Sequence, residues 1–377
     1  MNSAITFKRK KRAGGDFSLL VAVVALALIG TVFIYSASNY TAAKTYNDSF
    51  FFVKKQLIGV SLGAIAMIFT ANFDYEKLKR FTIPVAVITV VLLALVFVPG
   101  IGVENYGAKR WIGFGAFTLQ PSEIAKFSLI LFGATYFSEN PERAKTFKGI
   151  LPVLAFGGLL CGLIIIEPNM SITVCVGLLT LTVIFAAGAK LKNLCFLILP
   201  AIAFAGVLII IEPYRLKRLA AFIDPWANPK GEGYQLLQSL YALGSGGWFG
   251  VGIFNSRQKY AFLPFAESDF ILSVIGEETG FIGLLFFFGL IFFIILKGIK
   301  AAGRAKDVFG FLLSVGITMI FGIQAVINAL VVTGSIPPTG LPLPLVSSGN
   351  TSIIIFMAEF GIVYNVSRQG AGDFRID

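Results

Sequence analysis

Residues 263–296 read LPFAESDFILSVIGEETGFIGLLFFFGLIFFIIL. Four carboxylates, Glu267, Asp269, Glu277 and Glu278, fall within twelve residues and give way to an apolar run that meets no charge until Lys297. A helix needs about 20 predominantly apolar residues to cross a bilayer core, so 268–296 reads as a membrane span with Asp269 near the membrane–water boundary. An ionisable group held there points to a functional site. Acids also favour a helix's first turn through its dipole, and that plainer account suits Glu267.

The rest of the chain repeats the pattern. Of its 377 residues, 56% are hydrophobic and only 14% are charged, where a soluble protein carries about 25% charged residues. Apolar runs place spans at 17–37, 51–71, 81–98, 119–138, 149–166, 169–188, 194–211, 268–296, 309–332 and 348–366. The expected fold is an all-α polytopic integral membrane protein of about ten transmembrane helices. Glu167-Pro168-Asn169 divides two runs with almost no loop, so a re-entrant or broken helix is open there. The basic cluster Lys8–Arg12 precedes the first run with no small-residue cleavage site, as for a retained helix rather than a signal peptide.

Charge sets the orientation. Nineteen of the 31 basic residues fall in segments that face one side, while 333–347 holds none. By the positive-inside rule both termini lie in the cytoplasm. Segment 212–264, between helices 7 and 8, then forms one large outer loop. The expected organisation is a tail at 1–16, one transmembrane domain at 17–366 and a tail at 367–377. The net charge of +11 is spread over short clusters between apolar runs, which suits topology rather than nucleic acid.

Histidine is absent, which excludes imidazole bases, Ser-His-Asp triads and the commonest metal ligand. Cys161, Cys175 and Cys195 lie inside apolar runs without metal or redox spacing and read as small core filler. Chemistry therefore falls to carboxylates, Lys, Arg, hydroxyls and backbone.

Three constellations could supply it. In GAKRWIGFGAFTLQPSEIAK, residues 107–126, Lys109 and Arg110 beside Trp111 suit an interfacial anchor or a grip on phosphate oxygens. Pro121 fits a first helical turn, and Glu123 and Lys126 then share a helical face inside the membrane. That pair either fixes helix packing or shapes a polar cavity. In YRLKRLAAFIDPW, residues 214–226, Arg215, Lys217 and Arg218 follow a span directly. Arg257 and Lys259 come shortly before Asp269, so cations and an acid share one surface, an arrangement fitted to a diphosphate-bearing lipid. The glycine-rich 244–252 lacks the Lys-Ser/Thr of a P-loop. Asp224-Pro225-Trp226 and 228–231 are turn signals, and the proline-rich 337–344 reads as a stiff lid ahead of Ser347.

In their order and spacing these segments resemble the SEDS family (shape, elongation, division and sporulation), whose members include FtsW, RodA and SpoVE. The resemblance rests on GAKRWI at 107–112, QPSEIAK at 120–126, EPN at 167–169, RLKRLAAFIDPW from Arg215 and GYQLLQSLYALGSGGWFGVG at 233–252. SRQKYAFLP at 256–264, SDFILSVIGEETGF at 268–281 and TGLPLPLVSSGNTS at 339–352 complete it, so it covers about residues 17 to 366. QPSEIAKF, DPWANP, GYQLLQSL and Val331-Val332-Thr333-Gly334 look closer to the FtsW/SpoVE branch.

The resemblance implies a peptidoglycan glycosyltransferase that polymerises lipid II at the outer face of the cytoplasmic membrane during division or sporulation. The family's essential acid matches Asp269, its intramembrane pair matches Glu123 and Lys126, and its loop arginines match Arg110, Arg215 and Arg218. Lys109 and Lys259 are expected to join them on the diphosphate, with Glu277, Glu278 and Ser347 in support. No dedicated metal site is legible, although a divalent cation, Mg or Mn, could share the charge. The implied partners are lipid II, a class B penicillin-binding protein and other divisome or sporulation membrane proteins, with no nucleic acid. Some positions depart from the family pattern: Phe265 replaces a Glu, Glu267 takes a His-like position, and 347–352 loses a Tyr and a Gly. The alternatives are a lipid II transporter or flippase, to which membrane-embedded charges and a broken helix would be suited, and a non-catalytic scaffold that recruits the penicillin-binding protein.

Overall fold

Eleven α-helices dominate the described residues, which in this computed structural model are 14–105, 108–114, 117–190, 195, 206, 213–260 and 262–370. In chain order they are α1 (Phe17–Tyr46), α2 (Phe51–Asn72), α3 (Thr82–Leu95), α4 (Pro121–Glu139), α5 (Phe147–Ile166) and α6 (Met170–Ala186). Then come α7 (Pro213–Ile223), α8 (Tyr234–Gly246), α9 (Ile271–Gly303), α10 (Val308–Val332) and α11 (Asn350–Gln369). Helices stand at nine of the ten expected spans; the remaining one, 194–211, lies outside the described residues but for 195 and 206, as do the tails 1–13 and 371–377.

Among the described residues, six helical segments are by length and composition long and apolar enough to cross a membrane. This is a membrane protein. α4 and α11 are more polar, and three of the charged side chains they carry, Glu123, Lys126 and Glu359, are buried in the protein. The helix starts follow local chemistry. Pro121 occupies the first turn of α4, Asn169 caps α6 by accepting from the Ile172 N–H, and Asp307 caps α10 through the Gly310 N–H. α2 and α11 pack tightly where Gly59 meets Asn350 and Gly63 meets Met357, a small-residue spacing that lets membrane helices approach closely.

Two features depart from the all-α expectation. Between α3 and α4 a three-stranded antiparallel sheet is formed by β1 (Gly102–Asn105), β2 (Ala108–Phe114) and β3 (Phe117–Leu119). It takes up Lys109, Arg110 and Trp111, and it moves the start of the fourth helix to Pro121. The second is a break in α9 at Gly280, whose φ of 69° and ψ of −170° are not helical. The freed backbone groups are paired by the glycine-rich segment. Val251 and Gly252 donate to the Glu277 and Glu278 carbonyls at 2.9 and 3.1 Å, and Phe281 and Ile282 donate to the Gly247 and Trp248 carbonyls at 2.9 and 3.1 Å. Non-helical backbone within a membrane protein is tolerated only when such partners exist. A side chain at Gly250 would collide with the Glu278 carbonyl, and one at Gly280 with the Gly250 nitrogen, which explains the glycines that resemble a phosphate loop in sequence alone.

Candidate active site

A cavity of about 1120 Å³ opens between the sheet, the α5–α6 turn, α7, the loop before α9 and the loop before α11. Ligand pockets commonly run to roughly 300–1,000 Å³, so this one is large. Three of the expected site residues line it: Asp269, Arg110 and Arg218.

Each is placed by a distinct device. Asp269 stands in the loop ahead of α9, two residues before the helix begins, and its Oδ1 accepts from the Ser268 hydroxyl at 3.1 Å. Arg110 reaches from β2 to the α5–α6 turn, where it donates to the Pro168 carbonyl at 2.5 Å and the Glu167 carbonyl at 3.4 Å. The Glu-Pro-Asn motif thus serves twice, its carbonyls holding Arg110 and its Asn169 capping α6. Arg218 of α7 donates to the Pro338 carbonyl at 3.2 Å, tying that helix to the proline-rich loop. Ser171 at the start of α6 donates to the Thr339 carbonyl and closes the same corner.

The electrostatics follow from this enclosure. Burial raises the Asp269 carboxyl above the ordinary carboxylate range, opposed in part by the Ser268 hydroxyl bond and then by the Arg110 and Arg218 charges. Glu267 lines the same cavity and is also raised, by burial first and by the neighbouring Asp269 charge. The plain helix-end account of Glu267 therefore misses its place in the cavity. Asp269 keeps one flank open to the cavity. Opposite it stands Gly340, at a φ of 72°, where even a methyl group would come within 3.4 Å of Asp269 Oδ2.

Other expected residues stand elsewhere. Lys259 is not among those lining the cavity; it is buried against Glu278 at 3.6 Å and donates to the Ser36 hydroxyl at 3.3 Å. Glu277 accepts from the Arg257 N–H at 2.9 Å and the Ser256 hydroxyl at 2.5 Å, and Glu278 accepts from the Ser36 hydroxyl at 2.5 Å. Lys259 and Glu278 thus form a buried ion pair and Glu277 is held by hydroxyl and backbone donors; none of the three lines the cavity. Lys109 is exposed and also outside the lining. The Arg215 side chain lies outside the described residues.

Glu123 and Lys126 are buried together at 2.8 Å, with Lys126 also donating to Gln324 Oε1 at 2.7 Å. They brace α4 against α10 and are not part of the cavity wall. Ser347 supports the site indirectly, its hydroxyl donating to the Ser268 carbonyl at 2.6 Å and accepting from the Leu343 N–H at 2.8 Å.

The cavity also recruits residues that sequence reasoning passed over. Lys55 at the start of α2 lines it, with its ammonium 4.4 Å from the Phe51 ring. Asn328, a polar residue inside an otherwise apolar span, donates to the Asp269 carbonyl at 2.8 Å; its polarity in that setting was the available signal. Among the described residues, no group of three or more His, Cys, Asp or Glu stands together as a metal-ligand set.

The FtsW/RodA/SpoVE family model, described as "Cell cycle protein", matches residues 17–371. A probable peptidoglycan glycosyltransferase FtsW of Trichlorobacter lovleyi is 40% identical over 353 residues, 93% of this chain and 93% of that one. Stage V sporulation protein E of Bacillus subtilis is 39% identical over 360 residues, 95% of this chain and 98% of that one. Among solved structures, a chain of a peptidoglycan synthase complex that coordinates polymerization and crosslinking matches with a TM-score of 0.76 at 27% identity, covering 94% of this chain and 98% of that one. The rod shape determining protein RodA of Thermus thermophilus matches with a TM-score of 0.70 at 25% identity, covering 95% of this chain and 98% of that one. With a family model and relatives matching along nearly its whole length, this chain belongs to the SEDS family of cell-cycle proteins, alongside FtsW, RodA and SpoVE.

Proposed function

We infer that this chain is a peptidoglycan glycosyltransferase that polymerises lipid II, with Asp269 as its general base. The relatives' names support the activity. The observation that carries the residue assignment is the meeting of Asp269, Arg110 and Arg218 in one cavity.

Asp269 takes the proton from the 4-hydroxyl of the acceptor's N-acetylglucosamine. That oxygen forms a bond to the anomeric carbon of the donor's muramyl sugar. The bond from that carbon to undecaprenyl diphosphate breaks, the diphosphate leaves with the electron pair, and the configuration inverts. A base held above the ordinary carboxylate range is suited to taking a hydroxyl proton, and positioned proton transfer contributes about 10²–10⁴-fold. Arg110 and Arg218 offer positive charge to the departing diphosphate. Were a divalent cation, Mg or Mn, to share that charge, Glu267 on the cavity wall would hold it together with the substrate's phosphates, leaving Asp269 free to act as the base.

The ten-span topology, with both termini in the cytoplasm and the 212–264 segment outside, belongs to the same reading and puts the cavity at the outer face. A class B penicillin-binding protein and divisome or sporulation proteins would be its membrane partners; the likeness to a chain of a peptidoglycan synthase complex supports the first. The test is gel-resolved polymerisation of labelled lipid II by purified protein with a class B partner. Ladders from wild type that vanish in Asp269→Asn, with folding intact, support the reading. Ladders from the mutant overturn the role of Asp269. Lipid II crossing vesicle leaflets without ladders would point to transport instead, and the lack of both activities would leave the scaffold.

A further inference from the structure

Three consecutive backbone carbonyls, those of Glu267, Ser268 and Asp269, each accept a hydrogen bond from α10 or from the segment that follows it. The Ser348 N–H donates to the Glu267 carbonyl at 2.9 Å, the Ser347 hydroxyl to the Ser268 carbonyl at 2.6 Å, and Asn328 Nδ2 to the Asp269 carbonyl at 2.8 Å. Both amide hydrogens of Asn328 are used, because Nδ2 also donates to the Leu341 carbonyl at 2.8 Å. Its Oδ1 accepts from none of the described residues, so the side chain works here purely as a double donor. Asn328 and Ser347 are buried, at 1% and 3% exposure, where hydrogen bonds are shielded from competing water.

We propose that Asn328 is a positioning residue for the glycosyl transfer, clamping the Asp269 loop and the proline-rich loop to one rigid helix so that the carboxylate meets the acceptor hydroxyl at a fixed height. This rests on the reading of Asp269 as the base. The clamp joins two strands of chain from one side-chain amide. Leu341, held on the far side of the same amide, follows Gly340, the residue that faces Asp269 Oδ2. Moving Asn328 therefore moves both the base and the wall opposite it. A side chain with one donor cannot reproduce this; Ser347 ties the Ser268 carbonyl to the Leu343 N–H of the proline-rich loop, but it stands on that segment itself and not on α10. Catalytic groups must be held to within roughly 0.5 Å of productive geometry, and a misplacement of about 1 Å can cost on the order of 10²-fold in rate.

The experiment compares wild type, Asn328→Ala, Asn328→Ser, Ser347→Ala and Asp269→Asn in lipid II polymerisation, with binding of undecaprenyl diphosphate and thermal melting in detergent measured for each. Asn328→Ala is expected to lower kcat by about 10–100-fold while KM and undecaprenyl diphosphate affinity stay within about threefold, as expected when only a transition-state interaction is lost. Asn328→Ser, which can restore one of the two donations, should recover part of the loss in kcat, and Ser347→Ala should show a smaller fall of the same kind. An Asn328→Ala protein that folds and keeps wild-type kcat overturns the proposal, as does a loss carried entirely by KM or diphosphate affinity. If Asn328→Ala fails to fold, the proposal stands or falls on whether Asn328→Ser and Ser347→Ala lower kcat at unchanged affinity. Inactive wild type, or an active Asp269→Asn, would count against the general-base reading itself.

Discussion

Lys259 Nζ and Glu278 Oε1 stand 3.6 Å apart with both side chains closed off from solvent. The lysine that sequence proximity associates with the Asp269 site is committed instead to a carboxylate at the end of the first segment of α9. Removing one partner of a buried pair leaves the other charge uncompensated and costs about 3–5 kcal/mol. Lys259→Met should therefore lower the melting temperature of detergent-solubilised protein sharply, and adding Glu278→Gln should restore part of it. A single mutant that melts with wild type would mean the pair is not buried in solution.

The Glu123–Lys126 pair predicts a similar loss in a different place. Lys126 bridges Glu123 on its own helix and Gln324 on α10. Lys126→Met should cost roughly 3–5 kcal/mol, loosening α4 against α10, and Glu123→Gln should be milder because the amide oxygen still accepts from the ammonium. Thermal melting ranks the two; the reverse order would contradict the bracing role.

Gly280 and Gly289 lie in the same helix with opposite surroundings. Gly280 has a φ of 69° and abuts the Gly250 backbone, whereas a methyl group added at Gly289 would meet none of the described residues within 4 Å. Gly280→Ala should destabilise by about 1–3 kcal/mol from its backbone conformation alone, with the collision added. Gly289→Ala should be neutral or should stabilise by roughly 0.5–1 kcal/mol. Equal melting temperatures for the two variants would contradict the break.

The pH dependence of the reaction has a determined sign. Burial lifts the Asp269 carboxyl, and a base must be deprotonated to act, so the rate should rise with pH through a value above the ordinary carboxylate range. Arg218→Ala removes one of two charges that lower it, so the acid limb of kcat/KM should move to higher pH. A limb that moved lower would show that Asp269 does not set it.

Stability carries the mirror image. A carboxyl whose folded value exceeds its unfolded one contributes stability that is full below the unfolded value and is lost as pH rises through the folded value. Asp269→Asn should consequently melt higher than wild type near neutral pH, and the difference should shrink in acid. Melting curves across pH would show this, and a mutant less stable than wild type at neutral pH would contradict it.

The helix positions were legible because lipid demands long apolar runs, and nine of them coincide with described helices. Asp269, Arg110 and Arg218 were legible as a charge pattern that the fold gathers into one cavity. The sheet at 102–119 was not, since its strands are only four, seven and three residues long and fall almost wholly in the stretch between two spans that reads as a loop. Gly280 stands where Glu277-Glu278-Thr279 give way to the apolar run, inside a stretch that reads as one span, and only its partner segment reveals the break. Lys259 misled because distance along the chain says nothing of direction: Glu278 is further in sequence than Asp269, yet it is the carboxylate that Lys259 meets.

The pairing of residues 247–252 with the broken part of α9 makes a connector into a structural rung. Inserting an epitope or reporter in the exposed turn at 226–232 would add length where the backbone has no such duty. The same insertion between Gly247 and Gly252 would strip four partners from the helix break. Length variation across this segment is therefore free on one flank and forbidden on the other, so a graft or chimera has to cut before Tyr234 or carry both pieces together.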